Sequence, residues 1–172
     1  HQWAGWRTTP PPNLRVVQTA GSLIGLWTAG AGLIALVAAS LSVFLRLDGP
    51  TIAGSPTGEL VRAGALFVVG LLPWLLNWWR TLRPAPRGTL WLGYVLLAGV
   101  GAGLATALAA ASMLGYDVLV WLLGDTRGAT ASRHFADTPE LVGAIVVGAL
   151  VWWYHRTSLD AGAAATGPGA RS

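Results

Sequence analysis

The sequence contains no cysteine and no lysine, and it has few charged side chains of any kind. Without cysteine, the chain can form no disulfide, no thiolate metal site and no cysteine nucleophile. Because lysine is missing, all 11 basic side chains are arginine. Only 10% of the residues are charged and 53% are hydrophobic, whereas a soluble domain has about 25% charged residues. This deficit of charge indicates a chain that is solvated by lipid.

Other absences disfavour whole classes of function. The arginines behind the net charge of +4 lie at the ends of apolar segments, where membrane topology explains them. They do not form the basic, aromatic-rich face of a nucleic-acid reader. No catalytic Ser/His/Asp set, carboxylate pair within a span, phosphate loop or zincin motif is present. The middle of each apolar segment holds Leu, Val, Ala and Gly, which does not support transport. We therefore predict neither an enzyme nor a nucleic-acid partner.

Four long apolar segments dominate the chain. About 20 apolar residues are enough for one transmembrane helix, so the pattern predicts spans at residues 16–45, 57–79, 89–116 and 138–155. Pro73 predicts a kink in the second span, because proline cannot donate a backbone hydrogen bond. Residues 116–124 either extend the third helix or form a short interfacial helix. The predicted fold is all-α and integral to the membrane, with four transmembrane helices.

The second helices of the two predicted pairs resemble each other. Thr57-Gly58-Glu59-Leu60-Val61 opens one, and Thr138-Pro139-Glu140-Leu141-Val142 opens the other. A threonine N-cap and a glutamate in the first turn are typical of a helix start. Near the helix ends, Trp74 matches Trp152 and Asn77 matches His155. Because both pairs go in and out in the same sense, the sequence predicts two tandem, parallel helix-pair repeats.

These repeats divide the chain into four parts. Residues 16–83 are the first helix pair, residues 84–160 the second, and residues 161–172 a flexible Gly/Ala/Pro tail. Residues 1–15 are interpreted as the end of a preceding repeat followed by a Pro-rich linker. This interpretation depends on His1-Gln2-Trp3, which resembles Asn77-Trp78-Trp79 and lies 76 positions before it, close to the 78 positions between Asn77 and His155.

Two short stretches close the predicted helix pairs, Pro73-Trp74-Leu75-Leu76-Asn77-Trp78 and Trp152-Trp153-Tyr154-His155. Helix pairs whose second member ends in Trp-x-x-His-Trp resemble an uncharacterised bacterial integral-membrane domain family, a domain of unknown function. The resemblance covers nearly the whole chain up to Asp160. The chain departs from the pattern at Asn77, where His is expected, and at Arg156, where Trp is expected. The resemblance implies a fold and no activity.

The distribution of arginine predicts the orientation, because cytoplasmic loops are enriched in arginine and lysine. On one side, a single acidic residue, Asp160, accompanies seven arginines. These are Arg7, Arg15, Arg80, Arg83, Arg87, Arg156 and Arg171. The other side has more acidic than basic residues. We therefore expect a multi-pass protein of the bacterial inner (plasma) membrane with both termini cytoplasmic.

Glycine and tryptophan suggest contact surfaces. Gly21-xxx-Gly25 and Gly99-xxx-Gly103 predict faces on which another helix packs closely. Most tryptophans fall near the predicted cytoplasmic boundary. An aromatic belt explains this distribution, and a protein or pigment partner docked at that level would also explain it. The predicted interface residues are Trp74, Trp78, Trp79, Trp152 and Trp153.

His155 is the candidate cofactor ligand. A b-type haem held by two histidines needs them at matching depth, and only His1 could partner His155 at that level. Asn77 in the equivalent position argues against a shared ligand role for the repeats. The favoured interpretation of His155 and Asn77 is therefore that they are interfacial polar residues at helix ends. No cofactor is expected, and the alternative is haem or a chlorophyll-type pigment on His155 and His1.

A metal site is suggested by the spacing of His134, Asp137 and Glu140. Pro139 interrupts the helix that this spacing requires, and the start of the fourth helix already explains Glu140. The favoured interpretation is a solvated loop, and no metal is expected.

Three hypotheses on function follow. The first is a non-catalytic accessory or scaffold subunit of a larger bacterial membrane complex, for example an energy-converting one. Its partners would be membrane lipids and other membrane protein subunits. The second is a haem- or pigment-binding electron-transfer protein. The third is a small transporter or sensor, which would need a water-accessible polar cavity.

Overall fold

The regular structure of this chain is helical. The structure, a computed structural model, describes residues 12–45, 55–83, 87–124, 128 and 130–165. Within these residues there is no strand, and five helices follow one another. They are α1 (Pro12–Leu45), α2 (Pro56–Leu82), α3 (Thr89–Leu123), the short α4 (Ala131–His134) and α5 (Thr138–Ala165). The predicted all-α fold is therefore confirmed.

The N-cap of helix α2 is Ser55, two residues before the predicted one. Ser55 is extended (φ −152°, ψ 151°), and its hydroxyl oxygen accepts a hydrogen bond of 3.1 Å from the backbone nitrogen of Gly58. Pro56 takes the first helical position, where its missing N–H costs no hydrogen bond. The prediction of Thr57 as the N-cap is wrong, because a residue before proline favours the extended backbone that an N-cap needs. Glu59 lies in the first turn and pairs with Arg62 at 3.3 Å.

The later helices settle two open boundaries. Helix α3 continues to Leu123, so residues 116–123 extend the third helix and do not form a separate interfacial one. Helix α5 continues to Ala165, beyond the predicted end at His155 and into the part predicted as a flexible tail. Residues 166–172 lie outside the described residues, as do residues 1–11, on which the interpretation of His1 rests.

Three of the helices are long and apolar enough to cross a membrane. They are Leu14–Leu45, Pro56–Leu82 and Thr89–Leu123, and they support an integral membrane protein. Helix α5 is not among them, although it has 28 residues. Its mean hydropathy is lowered by Pro139 and Glu140 at its start and by Tyr154, His155 and Arg156 further along. The fourth span stays a prediction.

Two stretches have wider, π-helical hydrogen bonding. Leu75–Leu82 continues α2 directly after Pro73 and Trp74, and Tyr94–Gly101 lies within α3. The backbone nitrogen of Arg83 donates to the carbonyl of Trp78, five residues earlier, at 2.8 Å. The sequence predicts a kink at Pro73. In the structure, the backbone hydrogen bonds after Pro73 are π-helical in place of α-helical. Such π-helical stretches often occur at functional sites, and these two meet at one end of the bundle.

Glycines bring the helices close together in antiparallel pairs. A β-carbon on Gly25 of α1 would lie 2.8 Å from the carbonyl oxygen of Gly70 of α2, and one on Gly70 would overlap the backbone nitrogen of Ala29. A β-carbon on Gly103 of α3 would lie 2.8 Å from the carbonyl oxygen of Gly148 of α5. Helix α1 also packs against α5. The order of contact is therefore α2, α1, α5, α3.

Gly70→Ala is expected to lower the free energy of unfolding by about 1–3 kcal/mol, because the added methyl group overlaps the backbone of α1. Gly64→Ala is the matched control in the same helix, since a β-carbon there meets no atom within 4 Å. Reversible unfolding in mixed micelles, followed by circular dichroism, measures both variants. Equal effects of the two substitutions would contradict the close packing of α1 on α2.

Candidate functional site

An aromatic cluster joins α2, α3 and α5 at one end of the bundle. We use the name aromatic cluster for Trp74, Trp78, Trp91, Tyr94, Tyr154 and His155. The end of α2 and the start of α3 are neighbours because only a short connection separates them. The end of α5 joins them because α5 runs antiparallel to α3. The cluster contains His155, the residue that the sequence selected as a candidate ligand.

Trp78 is the centre of the aromatic cluster. It is fully buried, and its ring centroid lies 4.8 Å from that of Tyr94, 6.1 Å from that of Trp91 and 5.6 Å from that of His155. Its indole Nε1 donates a hydrogen bond of 3.1 Å to the hydroxyl oxygen of Tyr154. Trp78 therefore lies inside the bundle, in contrast to the interfacial position that an aromatic belt would give it.

A second tryptophan–tyrosine hydrogen bond parallels the first. The indole Nε1 of Trp74 donates to the hydroxyl oxygen of Tyr94 at 3.0 Å, and the rings of Trp74 and Tyr154 meet edge to face at 5.7 Å. The two bonds connect α2 to α3 and α2 to α5. In a membrane, an indole N–H or a phenol hydroxyl without such a hydrogen bond is unfavourable, because lipid chains offer it no other partner.

His155 is held by its own helix and by the backbone of α3. Its Nδ1 lies 2.9 Å from the carbonyl oxygen of Val151. A carbonyl only accepts, so this contact assigns the proton to Nδ1 and leaves Nε2 as an acceptor. The ring rests on Gly99, where any β-carbon would overlap the imidazole. The side chain is buried, and Nε2 has no hydrogen-bond partner among the described residues.

An imidazole with one nitrogen bonded to a backbone carbonyl and the other free is the arrangement of many ligand histidines. The surroundings of His155 nevertheless do not fit a haem or a chlorophyll-type pigment. Gly99, Trp78, Tyr94 and Tyr154 surround the ring, and His155 is only 1% exposed. A macrocycle could not reach Nε2 without displacing these neighbours. His1, its predicted partner, lies outside the described residues.

Asn77 occupies an equivalent place between α1 and α2. Its Nδ2 donates 2.8 Å to the carbonyl oxygen of Pro73, four residues earlier, as His155 does to Val151. A β-carbon on Gly21 would lie 2.9 Å from this Nδ2, just as Gly99 abuts His155. Gly21 and Gly99 differ by 78 positions, and so do Asn77 and His155.

The other two predicted packing glycines repeat the pattern. A β-carbon on Gly25 would lie 2.6 Å from the backbone nitrogen of Trp74, and one on Gly103 would lie 2.7 Å from that of Trp152. Gly25 and Gly103 differ by 78 positions, and so do Trp74 and Trp152. All four glycines chosen from the sequence therefore lie where another helix approaches.

The remaining tryptophans of the predicted interface lie nearer the surface. Trp79 and Trp153 are exposed, and Trp152 is partly buried. The guanidinium of Arg83 lies 5.3 Å from the ring centroid of Trp79, and that of Arg156 lies 5.4 Å from the ring of Trp152. These cation–π contacts place positive charge beside aromatic rings, as suits a headgroup layer.

His134 belongs to a separate contact at the opposite end of α3. Its Nε2 donates to the backbone carbonyl of Asp117 at 2.9 Å, and its ring lies 5.2 Å from that of Trp121. This contact packs α4 onto the end of α3. In the part of the chain that the structure describes, His134, Asp137 and Glu140 do not form a group that could hold a metal ion.

Tyr94, Tyr154 and Trp91 are members of the aromatic cluster that were not among the predicted ligand or interface residues. Tyr94 and Tyr154 are two of only three tyrosines in the chain. A phenol near the end of an apolar segment was a readable sign of a buried hydrogen bond. The identity of its partner was not readable, because Trp74 and Tyr94 lie in different helices.

Comparison of the chain with protein-family models, with curated proteins and with solved structures gave no match. The resemblance to a bacterial membrane-domain family stays a prediction.

Tyr94→Phe is expected to lower the free energy of unfolding by about 1–3 kcal/mol, because it leaves the indole N–H of Trp74 without its acceptor. Tyr116→Phe is the control, since Tyr116 is in the same helix and is 67% exposed. The same unfolding measurement in micelles compares the two variants. Unfolding of Tyr94→Phe at the wild-type denaturant concentration would contradict a stabilising role for the aromatic cluster.

Proposed function

We propose that this protein is a four-span integral membrane protein of the bacterial inner membrane that acts as a non-catalytic accessory or scaffold subunit of a larger complex. The observation that supports this most is the position of His155. The side chain best suited to chemistry is enclosed by rings from α2, α3 and α5 and rests on the backbone of Gly99. It is placed to hold helices together.

The proposed fourth span is α5. A helix of 28 residues is about 42 Å long, which exceeds the hydrocarbon thickness of about 30 Å. Helix α5 packs against α1 and α3, and both of these are long and apolar enough to cross a membrane. A helix packed between two spanning helices runs through the same layer. The less apolar ends of α5 would then lie near the headgroups.

The proposed internal repeat is supported by the contacts that recur after 78 positions. Asn77 and His155 bond back along their own helices, and each meets a glycine of the first helix of its pair, Gly21 of α1 and Gly99 of α3. Two pairs with equal contacts and equal sense fit a tandem, parallel repeat. The bacterial membrane-domain pattern, Trp-x-x-His-Trp, falls on these same residues, with Asn77 in place of the His in the first pair and Arg156 in place of the last Trp in the second. From this resemblance we also infer that the chain is related to that family.

A scaffold role suits the surface of the bundle. Large apolar side chains cover its outside, including Phe44, Leu97 and Leu123, each more than 75% exposed. Lipid tails or other membrane subunits match such a surface. An energy-converting complex is one setting for such a subunit.

The haem- or pigment-binding alternative is favoured by one feature, the free Nε2 of His155, and is opposed by the packing around that atom. A single preparation separates the two functions. Purified in mild detergent, the protein is expected to retain other membrane proteins in fixed ratio and to show no Soret or chlorophyll band. A protein that purifies alone with such a band, lost in His155→Ala but kept in His134→Ala, would replace the scaffold by the cofactor protein.

Topology tests the fourth span. Alkaline phosphatase is active only outside the cytoplasm, so fusions after Gly88 and after Ser172 are expected to be inactive, and a fusion after Gly128 is expected to be active. Fluorescent protein fusions at the same positions should give the reverse pattern. An active phosphatase after Ser172 would mean that α5 does not span the membrane.

A further inference from the structure

Helix α5 buries one face against α1, whereas the corresponding face of α2, 78 positions earlier in the chain, is exposed. Between α1 and α5, a β-carbon on Gly143 would lie 2.8 Å from the carbonyl oxygen and 3.4 Å from Cγ2 of Ile34, and Val147 is only 4% exposed. The residues 78 positions earlier, on α2, are Ala65 and Val69. Ala65 is exposed and Val69 is 64% exposed. Helix α2 thus presents to the outside the face that α5 buries.

Helix α3 has a second exposed face, which corresponds to the face of α1 that α5 covers. The spacing of 78 relates residues 33–39 of α1 to residues 111–117 of α3. All of residues 33–39 are partly buried, because α5 covers them, whereas five of residues 111–117 are exposed. The residue that corresponds to Ile34 is Ser112. Its hydroxyl donates to the carbonyl of Leu108 in its own helix, so it needs no partner to be compatible with a close contact.

The two open faces are complementary in volume. Ala65 has one methyl group more than Gly143, so a copy of the α1–α5 contact needs additional room on the opposite side. Helix α3 provides it: Ala111 stands where α1 has Leu33, Ser112 where it has Ile34, and Gly115 where it has Val37. Helices in lipid associate through such small residues, because their backbones can then approach closely.

We propose that these faces bind a second copy of this chain. The face of α2 formed by Ala65 and Val69 would pack on the face of α3 formed by Ala111, Ser112 and Gly115 in the neighbouring copy. The contact would reproduce the packing of α5 on α1. This proposal rests on the proposed membrane-spanning scaffold and names its partner. Since two different faces meet, the copies add head to tail, which generates rings or open arrays.

A second copy satisfies a condition that few other partners meet. Every copy inserts in the same orientation, so the α2 face of one copy reaches the depth of the α3 face of the next without adjustment. Within the chain, this same antiparallel pairing already places Gly143 against Ile34. The open faces therefore continue an interface that the bundle itself contains.

The absence of cysteine from the sequence allows a direct test by disulfide cross-linking. The double variant Ala65→Cys/Ser112→Cys, in the full chain and in its own membrane, is expected to convert under mild oxidation into a ladder of dimers and higher multiples. Each single variant alone should stay monomeric. A mixture of the two single variants should stop at the dimer, because each copy then has only one reactive face.

The control pair is Val68→Cys with Ala109→Cys. These residues lie on the same helices at the same relative level, and their counterparts, Val146 and Ala31, stay exposed in the bundle. Equal cross-linking of the control pair would indicate random collision and overturn the proposal. A dimer from Ser112→Cys alone would indicate a two-fold contact and also overturn it. No cross-linking above background would overturn docking of a second copy, while the topology and co-purification results would still decide the scaffold.

A second measurement does not depend on disulfide geometry. Light scattering of the wild type in mild detergent is expected to give a multiple of the chain mass. Ser112→Trp should reduce it to one chain, because the indole fills the space that the neighbouring α2 needs, and Ala109→Trp should not. A single-chain mass for the wild type in this measurement, together with no cross-link in the membrane, would mean that lipid covers both faces.

Discussion

Close contact between a glycine and the backbone of the facing helix is the constraint on which the rest of this structure depends. Gly25 and Gly70 bring α1 and α2 together, and Gly103 and Gly148 do the same for α3 and α5. At these distances there is no room for a β-carbon, so the separation of each pair is set by backbone and not by side chains. In lipid this close packing replaces the hydrophobic effect as the reason for helices to associate.

The aromatic cluster becomes possible once the helices are this close. Trp78 reaches the rings of α3 and α5 only because the end of α2 and the start of α3 are brought beside the end of α5. Its hydrogen bond to Tyr154, and that of Trp74 to Tyr94, satisfy polar groups that would otherwise lie inside the bundle without a partner. The same closeness presses His155 onto Gly99 and encloses the imidazole. A side chain that looks like a ligand in the sequence thereby becomes part of the packing between helices.

One helix interface of the bundle has a counterpart that is exposed. Helix α5 covers α1 where Gly143 meets Ile34, while Val69 on α2 and Ser112 on α3 are exposed, with no helix of the described residues beside them. The proposed tandem repeat would account for this, because a repeat whose units contact only their neighbours leaves one unmatched face at each end. In water such faces would need polar capping, whereas in a membrane lipid or a further helix can cover them.

Much of the architecture could be predicted from the sequence. The long, uncharged apolar segments were enough to predict an all-helical chain with helices able to cross a membrane. The Gly-xxx-Gly spacing located the faces where helices approach, because only glycine allows backbones to come so near. Local signals were less exact where two competed: Ser55 and not Thr57 caps α2, since the following Pro56 favours an extended residue at the cap.

What the sequence could not determine was the surroundings of each polar side chain. His155 and Trp78 are near a helix end in the sequence, and a helix end predicts an interfacial position. Only the tertiary structure decided that both are buried. Burial depends on which helices converge at that level, and here the ends of α2 and α5 meet the start of α3. Composition and periodicity describe one helix at a time, whereas the enclosure of His155 arises from three.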